Sequence, residues 1–222
     1  MAPQSSEFLA DLHAHTTRSD GLLEPRELLR LAKSRGLGAV AITDHNVLTR
    51  VEGESILVVP GEEVSTTAGH ILAYLVQEEI PRGLDPEEAV DRIIEAGGIA
   101  VPAHPFKISV GIGGAWLRRL APRIGAIEVL NGRTSRFANR RAMAYARELG
   151  KPPTAGSDAH LPEEVGRCFL ALPSDPGDPE ELMEMVLRGE GAPRGRGLTL
   201  PAAVRMYVRS VANWGRRGFR RI

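Results

Sequence analysis

The chain of 222 residues has six histidines, and all six stand in short, similar settings. They are His13 and His15 in DLHAHTTRSDG, His45 in AVAITDHN, His70 in GHILAYLV, His104 in IAVPAHP and His160 in TAGSDAH. Each lies at one end of a short apolar run, and most have an acid, a proline or a glycine close by. Imidazole and carboxylate together suit Zn, Mn or Fe. The single cysteine, Cys168, argues against a thiolate zinc site and reads as a buried thiol in CFLAL. Two pairs repeat an X-x-X spacing, His13/His15 and Asp158/His160. Side chains two apart on a strand share a face, so each pair can reach one ion or two adjacent ions. Rings and ionised carboxylates converging in a pocket without a cation desolvate at high cost.

That chemistry needs elements that bring distant segments together. FLADLH reads as a strand, and PRELLRLAKSRG as a helix with Pro25 in its first turn and Gly36 at its end. GAVAIT, SILVVPG and HILAYLV are strands. DPEEAVDRIIEAGG is a helix with an acidic first turn. GIAVPAH is a strand, GAWLRRLAP a short helix and GAIEVLN a strand. SRFANRRAMAYARELG is a long helix capped by Ser135. KPPTAGSDAH and GRCFLALP supply the last strands, and DPEELMEMVLRGE a further helix. Strand and helix alternate, which predicts an α/β protein with a largely parallel sheet. In such proteins ligands gather at the carboxyl ends of the strands. AVAIT runs into Asp44 and His45, ILVVPG into Glu62 and Glu63, IAVPA into His104, and TAGS into Asp158 and His160. His70 is the exception, because it opens its strand. GEGAPRGRG, at 189–197, is the nearest thing to a linker.

Hydrophobic residues are 42% and charged residues 25%, as in a globular domain with a core. The net charge is zero, so no overall field favours nucleic acid or anionic lipid. No apolar stretch approaches the ~20 residues that span a bilayer. MAPQSSEF lacks the basic and apolar regions of a signal peptide. With one cysteine, this predicts a cytoplasmic protein.

The ordered motifs DLHAHTTRSDG, ITDHN, PGEEVST with GHILAY, PAHP, IEVLNGR and TAGSDAH, spanning residues 11–160, resemble the polymerase and histidinol phosphatase (PHP) family of metal-dependent phosphoesterases. The resemblance implies a distorted (β/α)7 barrel with its metal site at the C-terminal ends of the strands. It implies two or three divalent ions (Mn, Zn or Fe). His13, His15 and Asp158 match ligands of a first ion, with Glu63 as the bridging carboxylate and Glu62 its neighbour. His70 and His104 match a second ion, and Asp20, His45 and His160 a third. Many relatives carry His where this chain has Asp20. Asp11 and Asp44 stand beside ligand histidines, as hydrogen-bond partners, proton-transfer helpers or plain structural groups.

The family chemistry is hydrolysis of phosphate esters by a hydroxide bridging two ions, in line with phosphorus. Lys107, Arg133 and Arg18 are candidate phosphate-binding cations, and Asp44 a candidate catalytic helper. The glycines of GIGGA, 111–115, either approach substrate or form a simple loop. The DLHAHTTRSDG form with Asp20 is similar to the nucleotide-directed, exonuclease-like branch. The expected substrate is therefore a small phosphorylated molecule, a nucleotide or short oligonucleotide. The alternatives are histidinol phosphate and a noncatalytic metal-binding module. Residues 1–198 are expected to form this domain. Residues 199–222, with Arg205, Arg209, Arg216, Arg217, Arg220 and Arg221 and no acid, read as a basic amphipathic helix, docked or contacting an anionic partner.

Overall fold

The computed structural model describes residues 7–51, 56–199 and 201–202. The order is β1 (Phe8–Ala14), α1 (Pro25–Ser34), β2 (Ala39–Ile42), β3 (Leu57–Ser65), β4 (His70–Tyr74), α2 (Pro86–Glu95), β5 (Ile99–Pro102), α3 (Gly113–Leu120), β6 (Ile127–Asn131), α4 (Arg136–Glu148), β7 (Pro153–Gly156), β8 (Cys168–Leu172), α5 (Pro179–Leu187) and β9 (Ala192–Gly195). Helices start where local chemistry satisfies their first amides. Asp85, Ser135 and Asp178 accept from the backbone N–H of Glu87, Ala138 and Glu181.

Seven strands form one sheet in the order β5-β4-β3-β2-β1-β8-β9, and β6 pairs with β7. The two parts meet at β1 and β7. The Asp158 N–H donates to the His13 carbonyl and the His15 N–H to the Ala159 carbonyl. Gly156 permits this approach, because a Cβ there would lie 2.3 Å from the His13 Cβ. The result is a curled, incomplete barrel, as the resemblance implied.

Two sequence readings need correction. The sheet is mixed, not largely parallel. β1–β2, β2–β3 and β6–β7 are parallel, whereas β1–β8, β3–β4, β4–β5 and β8–β9 are antiparallel. Only residues 66–69 separate β3 from β4, too few for a crossover, so the chain turns back. The Gly-rich stretch at 189–197 is not a linker but carries β9. Its glycines serve close packing: a Cβ on Gly195 would lie 2.2 Å from the Arg167 carbonyl oxygen. The basic helix expected over 199–222 lies outside the described residues, apart from Thr199, Pro201 and Ala202. Among the described residues no helix is long and apolar enough to cross a membrane.

One apolar layer joins Ala10, Leu12, Ala39, Ala41, Val59 and Leu72 of the sheet to Leu182, Met183 and Val186 of α5. It gathers Phe8, Leu57 and Ile99, the first residues of β1, β3 and β5. A second packs Leu28, Leu29 and Ala32 of α1 on Val40 and Ile42. A third packs α2, α3 and α4 on β4 and β6 through Val90, Ile93, Leu117, Ala142, Ile71 and Ile127. These layers fix the strands whose other ends carry the polar residues.

Candidate metal centre

Strand ends deliver the six histidines to one place. β1 stops at Ala14, and its register shifts between Asp11 and Ala14. Such irregularities re-aim side chains at a strand end. Here the Nε2 atoms of His13 and His15 come within 3.1 Å. His45 follows β2 and bridges to Glu63 on β3. His104 follows β5, and Asp158 and His160 follow β7. His70 opens its strand, as expected, yet reaches the same place. β4 is antiparallel to β3, so its first residue pairs with Ser65 at the same end.

Glu63 sits at the middle, buried. Its Oε2 faces His13 Nε2 at 3.4 Å, His15 Nε2 at 3.3 Å and His45 Nδ1 at 3.2 Å. Its Oε1 faces His70 Nδ1 at 2.9 Å and His104 Nε2 at 2.8 Å. Asp158 Oδ1 stands 3.4 Å from His15 Nε2, and its Oδ2 receives the Lys107 ammonium. Asp20 Oδ2 stands 3.1 Å from His160 Nε2 and 4.0 Å from His45 Nε2. Ligand atoms about 2.0–2.1 Å from one tetrahedral ion lie roughly 3.3–3.4 Å apart. Several of these separations have that size. Four close groups result: His13 with His15 and Asp158; His13 with Glu63 and His104; His45 with Glu63 and His70; and His15 with Asp20, His45 and His160. His70 and His104, paired on one ion in the sequence reading, approach the same oxygen of Glu63 but belong to different close groups.

The protonation pattern is divided. Burial works against charging His13, yet Glu128, Glu63 and Asp158 hold its pKa well above the ordinary histidine value. At His15, burial is again outweighed, by Asp158 and Glu63, which raise it to about 9. At His45 burial prevails and lowers it to about 3. Burial raises Glu63, but His70, His45, His13 and His104 overcome it and hold this carboxylate well below its usual range. Protons therefore serve some of these rings and not others. Among the described residues, the buried Nδ1 atoms of His15, His45 and His104 have no hydrogen-bond partner. Nitrogen and oxygen donors of this kind, with buried atoms left unmatched, fit divalent cations.

Behind the cluster, buried acids hold it in place. Asp44 accepts from Thr16 N–H, Thr16 Oγ1, Ser19 Oγ and Thr49 Oγ1 at 2.6–2.7 Å. It ties down the loop that carries Asp20 and does not line the cavity over the cluster. Asp11 accepts from the N–H groups of Ser157 and Gly166. Burial raises it to about 6. Glu128, on β6, is a buried acid in contact with His13 and His104 that the sequence reading did not single out. Its signal was an acid inside an apolar strand, IEVLN. Backbone strain also concentrates here: His104 and Asp158 have φ of +27° and +54°.

The cavity over the cluster is lined by His70, His104, Lys107, Arg133, Phe106 and Ile108, among others. Arg133 is also near Glu164, at 3.7 Å. Arg18 lies elsewhere, in a neighbouring cleft with His45, Glu79 and Arg82. The 111–115 glycines do not line the cavity. Gly111 serves the turn, since a Cβ would lie 2.6 Å from the Pro105 carbonyl oxygen.

Comparison with known proteins agrees with this geometry. The model of the PHP domain matches residues 11–124, and that of a PHP-associated region matches 136–190. The chain belongs to the PHP family. This PHP protein is 34% identical over 166 residues to an uncharacterized protein of Methanocaldococcus jannaschii, covering 72% of this chain and 68% of that one. It is 24% identical to the 5′-3′ exoribonuclease Rnm of Escherichia coli, covering 75% of this chain and 91% of the enzyme. Its fold resembles that of a two-domain protein from Bacteroides vulgatus containing a predicted PHP-like metal-dependent phosphoesterase. The TM-score is 0.68 at 18% identity, over 87% of this chain and 66% of that one.

Proposed function

We propose that this PHP protein hydrolyses phosphate esters of nucleotides or short oligonucleotides with the help of two or three divalent ions. The observation that carries the reading is the sharing of Glu63. Its two oxygens face two different sets of rings, which is how one carboxylate serves neighbouring ions. His13, His15 and Asp158 would hold one ion, His70 and His104 would help hold a second, and Asp20, His45 and His160 a third. When bound, such ions supply Lewis acidity toward phosphoryl oxygens and a water-derived nucleophile at neutral pH.

The chain's own groups do the rest. Lys107 and Arg133 line the cavity above the cluster and can bind the nonbridging oxygens of a phosphate. Lys107 also engages the Asp158 oxygen that faces away from His15, which keeps the other oxygen free for an ion. Phe106 and Ile108 form an apolar part of the same wall. That wall suits a substrate with an apolar, flat portion next to its phosphate, as nucleotides have. The similarity to Rnm supports the nucleotide class.

A panel of nucleotides, oligonucleotides, histidinol phosphate and sugar phosphates, assayed with Mn, Zn and Fe on protein of known metal content, tests the reading. Turnover concentrated on nucleotides or oligonucleotides is expected. Turnover confined to histidinol phosphate would shift the substrate class. No turnover on any ester with the site fully loaded would leave a metal-binding module instead.

A further inference from the structure

We propose that Glu128, itself outside the metal cluster, is the positioning residue that aims two metal-site histidines from different strands. Glu128 is buried on β6. Its Oε1 lies 3.0 Å from His13 Nδ1, and its Oε2 accepts the backbone N–H of His104 at 2.6 Å. The amide nitrogen of Asn131 is 3.2 Å from both oxygens and donates to the carboxylate. Both oxygens are therefore acceptors, and the hydrogen between Glu128 and His13 sits on Nδ1. With that hydrogen fixed on Nδ1, Nε2 is the atom that faces the cluster and would give up its proton to an ion. The other tautomer would direct an N–H there and remove His13 as a ligand.

The second contact does a different task. His104 has φ +27°, a backbone state that few non-glycine residues adopt. The short bond from its N–H to Glu128 holds it there. Asn131, in turn, is fixed on all sides. Its Oδ1 accepts from Arg133 N–H and Thr134 Oγ1, both at 3.0 Å, and its own N–H donates to Asn139 Oδ1 at 3.2 Å. Arg133 and Thr134 line the cavity. One network thus joins the His13 ring and the His104 backbone to the substrate-facing loop.

Glu128→Gln and Glu128→Ala separate aiming from bulk. In the glutamine variant the backbone N–H of His104 cannot change its role, so the amide oxygen turns to it. The amide NH2 then faces His13, whose ring must accept at Nδ1 and carry its hydrogen on Nε2. In the alanine variant a water can replace the lost acceptor, and His13 keeps its useful tautomer. A chelator competition on the full chain should show Zn bound about 10–100-fold more weakly by Glu128→Gln, in the range of lost outer-shell partners. Glu128→Ala should lose less, although it unfolds at lower temperature. A purely space-filling role gives the opposite order, because glutamine preserves shape. Ring 15N spectra of the zinc-loaded protein give a second readout. The parent should show His13 with a hydrogen-bonded Nδ1–H and a metal-bound Nε2, and Glu128→Gln should lose that signature.

Parent-like zinc affinity in Glu128→Gln, or an unchanged His13 signature, would overturn the proposal. So would weaker binding by a folded Glu128→Ala than by Glu128→Gln. If the alanine variant does not fold, the spectra of Glu128→Gln decide alone. The inference rests on the metal-centre reading. Failure of the parent to bind any divalent ion ends both, whereas ion binding without ester turnover ends only the proposed function.

Discussion

The amino ends and the carboxyl ends of the central strands are built from opposite materials. At the amino ends of β1, β3 and β5, Phe8, Leu57 and Ile99 join the apolar layer packed on Leu182 and Met183 of α5. At and just beyond their carboxyl ends the same strands place His13, His15, Glu63 and His104, all buried. The first region gains stability from apolar area removed from water. The second gathers groups whose burial costs free energy unless partners or ions offset it. The difference teaches a division of labour: one end holds the strands so that the other can keep a costly constellation in register.

That comparison can be broken at either end. The largest effect is expected at its polar centre. Glu63→Gln should lower kcat/KM for a phosphoester by on the order of 10³-fold, by analogy with loss of a central electrostatic group. Its unfolding midpoint should change little. A comparable collapse in stability would mean that the polar end carries the fold. Leu182→Ala addresses the apolar end. Chemical denaturation should show a loss of about 2–5 kcal/mol, with kcat nearly unchanged in the folded fraction. A kcat loss in step with stability would deny the division.

Removing ions sharpens the contrast. Ions present at about 100 times their Kd stabilise by about 2.7 kcal/mol per site, so a chelator should lower the melting temperature of the parent. The same treatment should do much less to Glu63→Gln, and equal shifts would count against a shared centre.

A smaller effect is expected at Glu62, the neighbour that points away from the rings. Its Oε1 accepts the Ile80 N–H at 2.6 Å, its Oε2 has no hydrogen-bond partner among the described residues, and burial raises the carboxyl to about 7. A raised carboxyl pKa contributes stability below the unfolded value, and this is lost as pH rises to about 7. Between pH 4.5 and 8, Glu62→Gln should therefore gain on the parent by up to about 3 kcal/mol. A gap that stays constant with pH would contradict the burial argument. Last and smallest is the cation comparison. Arg133→Ala should cost about 10-fold in kcat/KM, as for a hydrogen bond to a charged group, and Arg18→Ala much less. Equal losses would bring the neighbouring cleft into the substrate site.

Much of the polar end was legible because its residue types are rare and its spacings regular. HxH and DxH needed only strand ends to acquire meaning, and the elements around them follow from capping residues and apolar runs. What was hidden is three-dimensional. Nothing in GHILAYLV says that β4 runs backwards, yet that reversal brings His70 to the others. Asp44 looks like Asp20 in sequence, and only its four donors distinguish an anchor from a group facing the cluster. Glu128 lies more than a hundred positions from His13, beyond the reach of any spacing argument. The glycines at 189–197 looked loose because close backbone approach and flexibility select the same residue.

The central claim is one cluster of shared cations around Glu63, used for phosphoester hydrolysis. Metal content and turnover measured on the same purified sample, before and after chelation and after adding back Mn or Zn, test it most directly. The prediction is two or three divalent ions per chain, activity lost with them and regained on their return. Full turnover by protein stripped of ions would contradict it.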